Sequence, residues 1–196
     1  MGERRATARR ETRETKIDAS IDLDGAGVAE IKTGIGFLDH MLGAVALHGR
    51  VDLDVSCKGD LSVDDHHTVE DVALVVGQLV DKALADRAGI VRFAHAYAPL
   101  DEALARVVLD FSGRPSASID LGLKREMLGG VACENVAHWF ASFAMAARCA
   151  LHVDVLRGEN DHHRAEAAFK AFALALRAAV AIDPRPAGVP STKGVL

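Results

Sequence analysis

Hydrophobic positions recur along the chain with two different periods. Apolar residues at helical spacing run through DDHHTVEDVALVVGQLVDKAL (64–84) and NDHHRAEAAFKAFALALRAAV (160–180), which predicts long helices over 65–85 and 161–181. Asp65 falls near the N-cap of the first. Shorter stretches of the same kind predict helices over 36–47 and 134–150. Alternation of apolar and polar residues predicts one long strand over 7–23, a turn at Asp24, Gly25, Ala26 and Gly27, and strands over 28–33 and 51–57. The second half repeats the plan, with strands near 92–98, 103–111, 115–121 and 151–156. Each half reads as β-β-α-β-α. The expectation is an α+β fold made by internal duplication, with two mixed sheets and the helices packed between them. The expected boundaries are 5–90 for the first half-repeat, 91–182 for the second and 183–196 for a C-terminal tail, where DPRPAGVPSTKGVL is too rich in Pro and Gly for helix.

The duplication rests on matched landmarks. Both long helices open with Asp-His-His-x-x-Glu, and His66 and His162 lie 96 residues apart. Upstream, His40 in FLDHM and His138 in NVAHWF lie 98 apart, and each precedes its cluster by a similar interval, 26 and 24 residues. Two landmarks in register argue for a repeated unit, and two copies make a pseudo-symmetric domain and not a solenoid.

Composition narrows the class. The 196 residues are 49% hydrophobic and 26% charged, which is ordinary globular composition. A net charge of −5 argues against nucleic-acid binding, with Arg4, Arg5, Arg9 and Arg10 only a local basic run. Cys57, Cys133 and Cys149 are odd in number and widely spaced, as suits reduced thiols in the cytoplasm. No apolar run approaches the roughly 20 residues a membrane span needs. The N-terminal MGERRATARRETRET has no apolar core for a signal peptide.

Six of the nine histidines fall in the repeated landmarks. Neutral imidazole is a common transition-metal ligand, and a carboxylate completes a mixed nitrogen–oxygen site. On a helix, His66 and Glu70 are four apart and His67 and Glu70 three apart, so each pair shares a face. Adjacent histidines diverge by roughly 100° around the axis. His66 and His67 therefore serve different ions, and so do His162 and His163 above Glu166. A single such cluster fits a solvated first helical turn, but two in register, each with an upstream His, point to ligands. Lone histidines such as His48, His95 and His152 read as packed or surface residues. The eight candidates, His40, His66, His67, Glu70, His138, His162, His163 and Glu166, suffice for two ions with four protein ligands each and open positions besides. Ligand type does not choose between Mn, Fe, Zn and Co.

FLDHM (37–41), DDHHTVED (64–71), SGRP (112–115), GENDHHRAEAAFKA (158–171) and PSTKGVL (190–196) closely resemble the imidazoleglycerol-phosphate dehydratases of histidine biosynthesis. The similarity runs in order from about Arg5 to Leu196, without an attached phosphatase domain, as in the monofunctional form. The resemblance implies removal of water from imidazole glycerol phosphate to give imidazole acetol phosphate. It also implies two Mn2+ ions per subunit and a 24-subunit assembly with metal sites where subunits meet. All eight candidates match the family's metal positions. Glu14 matches its acid/base carboxylate and contacts substrate. Arg92, Arg114, Ser191, Thr192 and Lys193 match its substrate-phosphate contacts. In such chemistry, Lewis-acidic ions on the ring nitrogens favour an imidazolate, whose electron push expels the hydroxyl before a proton is lost to form the enol. Glu14 handles proton transfers, and the arginines with Lys193 anchor the phosphate and so orient the reacting carbons. The chain departs from the family's pattern at Gly43 and Ala44, where polar residues are common, and at Trp139, which replaces a usual Phe.

Two other motifs carry less. Asp22-Leu23-Asp24-Gly25 superficially resembles a phosphatase start but reads as a hairpin turn. GAGVAEIKTGIG lacks the strand-GxGxxG-helix arrangement of a nucleotide site. A dinuclear metallohydrolase would want a bridging carboxylate and more carboxylate ligands. A metal-storage cage would have no need of the arginines or the Ser-Thr-Lys tail.

Overall fold

A computed structural model describes residues 3–185 and 188–194. In chain order the elements are β1 (Arg5–Glu11), β2 (Thr15–Asp22), β3 (Ala29–Lys32), α1 (Gly36–Gly49), β4 (Asp52–Gly59) and α2 (His66–Leu84), then β5 (Phe93–Leu100), β6 (Ala103–Asp110), β7 (Ser116–Asp120), β8 (Met127–Leu128), β9 (Val131–Ala132), α3 (Cys133–Ala146), β10 (Ala150–Arg157) and α4 (Asp161–Val180). Two four-stranded mixed sheets have the same order, β1-β2-β4-β3 and β5-β6-β10-β7, as a duplication requires. Each strand of the central pairs buries one face: Thr15, Ile17, Ala19 and Ile21 on β2, and Ala103, Ala105, Val107 and Leu109 on β6. The helices lie between the sheets, α2 against β1 and β2, α4 against β5 and β6, and the pairs α1–α4 and α2–α3 close the core. At its centre Trp139, Phe140 and Phe143 of α3 meet Phe169 and Phe172 of α4, all five buried.

The α+β architecture matches the expectation, with three local corrections. The long strand over 7–23 is a hairpin, so the first half begins with one more strand, and both halves read β-β-β-α-β-α, as the three expected strands before α3 already implied for the second, apart from the small β8–β9 ladder. The turn is made by the Thr12 hydroxyl, which accepts the Glu14 and Thr15 N–H groups at 3.1 and 3.0 Å. The turn after β2 is not a hairpin, because β3 runs parallel to β4 on the far side from β2. Asp52 draws the chain there by accepting the Ala26, Gly27 and Val28 N–H groups at 2.8, 3.0 and 2.8 Å. Gly25 lies so close that a Cβ would stand 2.4 Å from the Asp52 nitrogen. Finally α3 ends at Ala146, because Arg148 adopts a left-handed φ of 53° and Ala150 enters β10. Arg50 stops α1 in the same way, at φ 55°.

The C-terminal segment is irregular but tied down. Asp183 N–H bonds the Gly89 carbonyl, Gly89 N–H bonds that of Gly188, and Arg92 reaches the Pro190 carbonyl at 2.9 Å. Residues 186–187 and 195–196 of the expected tail lie outside the described residues. Among the described residues no helix is long and apolar enough to cross a membrane.

Candidate metal centres

The paired helices run parallel and in step. His40 stands opposite Glu166 and Gly49 backs onto Ala173, while Glu70 stands opposite His138 and Gly77 backs onto Phe143 and Ala147. Each lone histidine is thereby delivered to the cluster of the other half. Two groups of three result, His66, Glu70 and His138 on α2 and α3, and His40, His162 and Glu166 on α1 and α4. In each, one donor atom per residue lies within 4.8 Å of the others. Two imidazoles and a carboxylate converging this closely fit a nitrogen–oxygen site for a transition-metal ion.

The trios differ in electrostatics. In the α1–α4 trio, Glu166 Oε2 lies 3.1 Å from Nε2 of both His40 and His162, and Oε1 lies 2.7 Å from Lys170 Nζ. Burial alone would raise the Glu166 carboxyl, but the Lys170 ammonium and the two imidazoles outweigh it and hold it at about 2. In the α2–α3 trio, Glu70 is half-exposed, 3.7 Å from His66 Nε2 and 3.5 Å from His138 Nε2. The His66 and His138 rings stack with centroids 5.0 Å apart.

His67 and His163 stand apart from both trios, as the helical divergence requires. Their rings sit 6.0 and 6.2 Å from those of His66 and His162, at 81° and 90°. Each is oriented by a carboxylate on Nδ1, Asp60 at 3.1 Å for His67 and Glu102 at 2.7 Å for His163. This is the usual support of a metal-ligating histidine, whose other nitrogen stays free. The Asp60 hydrogen bond raises the pKa of His67 against a smaller effect of burial, and Glu14 adds to the rise. Glu102 is held at about 2 by the Asn160 N–H, His163 and the Glu159 N–H. The β1–β2 turn brings Glu14 Oε1 to 3.7 Å from His67 Nε2, and the β5–β6 turn brings Asp101 to the same distance from His163 Nε2.

Arg92 and Arg114 lie elsewhere. Arg92 pairs with Asp110 at 2.8 and 3.0 Å, its N–H bonds the Ala179 carbonyl near the end of α4, and it holds the tail that carries Ser191, Thr192 and Lys193. Arg114 bonds the Ser112 carbonyl close by. From His162 to Ala179 is seventeen residues of α4, about 25 Å at 1.5 Å per residue. Within one chain the cations are far from the α1–α4 trio.

Several participants carried no clear signal in the sequence. Asp60, Asp101 and Glu102 meet their histidines only through the fold. Asp65 is the N-cap residue of α2, as expected, but its side chain makes no capping bond: Asp64 accepts the His66 N–H, while Asp65 accepts from Ala132 and Asn135. Lys170 was readable, since it follows Glu166 by four residues on one helix face.

The model of the family described as imidazoleglycerol-phosphate dehydratase matches residues 33–176. An imidazoleglycerol-phosphate dehydratase of Pseudomonas paraeruginosa is 52% identical over 197 residues, covering 100% of both proteins. One from Phytophthora nicotianae is 57% identical over 195 residues, but the chain spans only 43% of that longer protein. Among solved structures, the dehydratase of Staphylococcus aureus superposes with a TM-score of 0.83 at 38% identity, covering 91% of this chain and 99% of that one. That of Pyrococcus furiosus, in complex with (S)-C348, gives 0.83 at 36% identity, covering 96% and 100%.

Proposed function

The chain belongs to the imidazoleglycerol-phosphate dehydratase family, and from that we propose that it is a hydro-lyase converting imidazole glycerol phosphate to imidazole acetol phosphate in histidine biosynthesis. The observation that carries the reading is the pair of trios, each assembled from both halves of a chain that aligns end to end with a dehydratase. Each trio would hold one metal ion, manganese on the family resemblance. Bound there, it would supply Lewis acidity toward the imidazole of the substrate.

His67 and His163 present Nε2 away from their own trios, so they serve as ligands to trios of neighbouring copies. Asp60 and Glu102 fix the direction of those rings through Nδ1. Glu14 stands beside His67 Nε2 and is the carboxylate in place to take the proton from the carbon next to the ring-bearing carbon, or to return one to the enol. Arg92, Arg114 and the Ser191, Thr192 and Lys193 tail bind the phosphate by charge-assisted hydrogen bonds. About 25 Å of helix separates Arg92 from His162, far more than three carbons bridge, so cations and α1–α4 trio at one site come from different chains. We therefore assign a closed assembly, 24 copies on the family resemblance, and the cytoplasm as its compartment, where the three free thiols are stable. The test is dehydration of imidazole glycerol phosphate by metal-stripped and manganese-reloaded protein. Activity should return with manganese, and a fully loaded protein inert toward this substrate would overturn the assignment.

A further inference from the structure

The two trios differ in the layer behind their ligands. Behind His66 lies a buried polar chain. Asp65, 8% exposed, receives the Ala132 N–H at 2.8 Å and the Asn135 Nδ2–H at 3.0 Å, both on Oδ2. Asn135, 4% exposed, turns its Oδ1 to His66 Nδ1 at 2.9 Å. A carboxylate accepts hydrogen bonds and an amide oxygen does the same, whereas the amide nitrogen only donates. Asp65 therefore determines which way the Asn135 amide faces. The amide oxygen in turn requires the proton of His66 to sit on Nδ1, which leaves the lone pair on Nε2. That nitrogen is the one directed at Glu70.

Among the described residues nothing equivalent stands behind His162. Three residues before the lone histidine of the first half the position is Phe37, whose ring meets that of His162 edge-on with centroids 5.4 Å apart. Asp161, the counterpart of Asp65, instead accepts the Lys124 and Arg125 N–H groups at 2.9 and 2.7 Å. One half has a hydrogen-bond relay where the other has an aromatic contact.

We propose that Asn135, oriented by Asp65, is a positioning residue that holds His66 in the Nδ1-protonated tautomer and so preorganises the α2–α3 centre, while the α1–α4 centre has no such device. The importance of the relay for metal binding rests on reading the trios as metal centres, but the tautomer itself does not. A histidine whose orienting partner is removed typically loses about 10–100-fold in metal affinity. That loss falls on one ion of the two. A role limited to bracing the loop before α3 would leave the tautomer unchanged.

The experiment uses the full-length chain with 15N-labelled histidine, metal-free and at a pH where imidazoles are neutral, alongside Asn135→Leu and Asp65→Ala. Asn135→Leu removes the acceptor at similar size. Asp65→Ala removes the oxygen that accepts from both Ala132 and Asn135 and leaves room for water, which donates as readily as it accepts, so the Asn135 amide is free to flip. His66 should be Nδ1-protonated in the parent and shift toward the Nε2-protonated form in both variants, with His162 unchanged. Manganese titration of the same proteins should show one ion weakened about 10–100-fold and the other retained. An unchanged His66 tautomer overturns the proposal, as does equal weakening of both ions. Should Asn135→Leu fail to fold, Asp65→Ala decides alone. A parent chain that binds no manganese would overturn the metal reading, and the tautomer spectra would still decide the relay.

Discussion

Two helical glycines should respond with opposite signs to the same substitution. Gly77 lies within α2 where that helix crosses α3. A Cβ there would stand 2.7 Å from the Phe143 carbonyl oxygen and the Ala146 Cβ, and 3.0 Å from the Ala147 nitrogen. Two of these three are backbone atoms, so no rotamer relieves the contact and α3 itself must move. Overpacking of this kind costs about 1–3 kcal/mol. The helix-propensity gain from Gly to Ala is only about 1 kcal/mol. With backbone on two sides the upper part of the range applies, and Gly77→Ala should lose roughly 1–2 kcal/mol. Gly43, half-buried in α1, has nothing within 4 Å of its Cβ position. Gly43→Ala should therefore gain about 0.5–1 kcal/mol. Urea unfolding of metal-free protein, followed by the single, fully buried Trp139 at fixed protein concentration, measures both. Because α2 and α3 carry one trio between them, Gly77→Ala should also weaken one manganese ion and spare the other. Stabilisation by Gly77→Ala, or equal weakening of both ions, would refute the packing argument.

The crossing of the trios predicts which variants resemble each other. His66→Ala and His138→Ala, from different halves, should weaken the same ion in a manganese titration, and His40→Ala the other. If His66→Ala and His40→Ala shared one ion, the pairing would be wrong. Arg92→Ala and His162→Ala should each be inactive alone yet regain measurable dehydratase activity when dissociated, mixed and reassembled, because cations and trio come from different chains. No recovery in demonstrably mixed assemblies would return both to one chain. Asp52→Asn should flatten the acid side of the stability–pH curve. The Val28 N–H, with those of Ala26 and Gly27, lowers the Asp52 pKa below the ordinary carboxylate value. Its stabilising share is complete above that value and is lost as pH falls through the lowered one, so the parent alone should show that acid-side slope.

How much was legible in the sequence follows the range over which each feature is encoded. The long helices were, because His66 to Leu84 and Asp161 to Val180 carry their period within themselves. The residues of the trios were legible as candidates, and helix geometry alone separated His66 from His67. Their grouping was not, since it depends on which helices pair. The β1–β2 turn hid in a run of charged residues that looks alike on both faces, and one Thr12 hydroxyl makes it. The partner of β3 depends on Asp52, more than twenty residues further along. The end of α3 carries no glycine, and Arg148 takes the left-handed conformation that a glycine would have announced. Asp65 had the sequence position of a cap, but Asp64 supplies that bond and releases Asp65 to the relay behind His66.

The adjacent histidines supply the physical reason for the proposed assembly. Two imidazoles about 100° apart on one helix cannot reach the same ion. Parallel packing of α1 with α4 and α2 with α3 gives the first histidine of each pair two companions from across the duplication. The second is left some 6 Å away with its ring at right angles and a carboxylate on its inner nitrogen. Each trio then offers three candidate ligands from its own chain, one fewer than four-coordination by the protein would require. Each chain carries two oriented imidazoles with no trio of their own to serve. Three plus one closes only between copies, and two such contacts per chain drive growth beyond a dimer unless symmetry closes it. On the proposed function, association would complete the two ligand sets that the duplication leaves half-used.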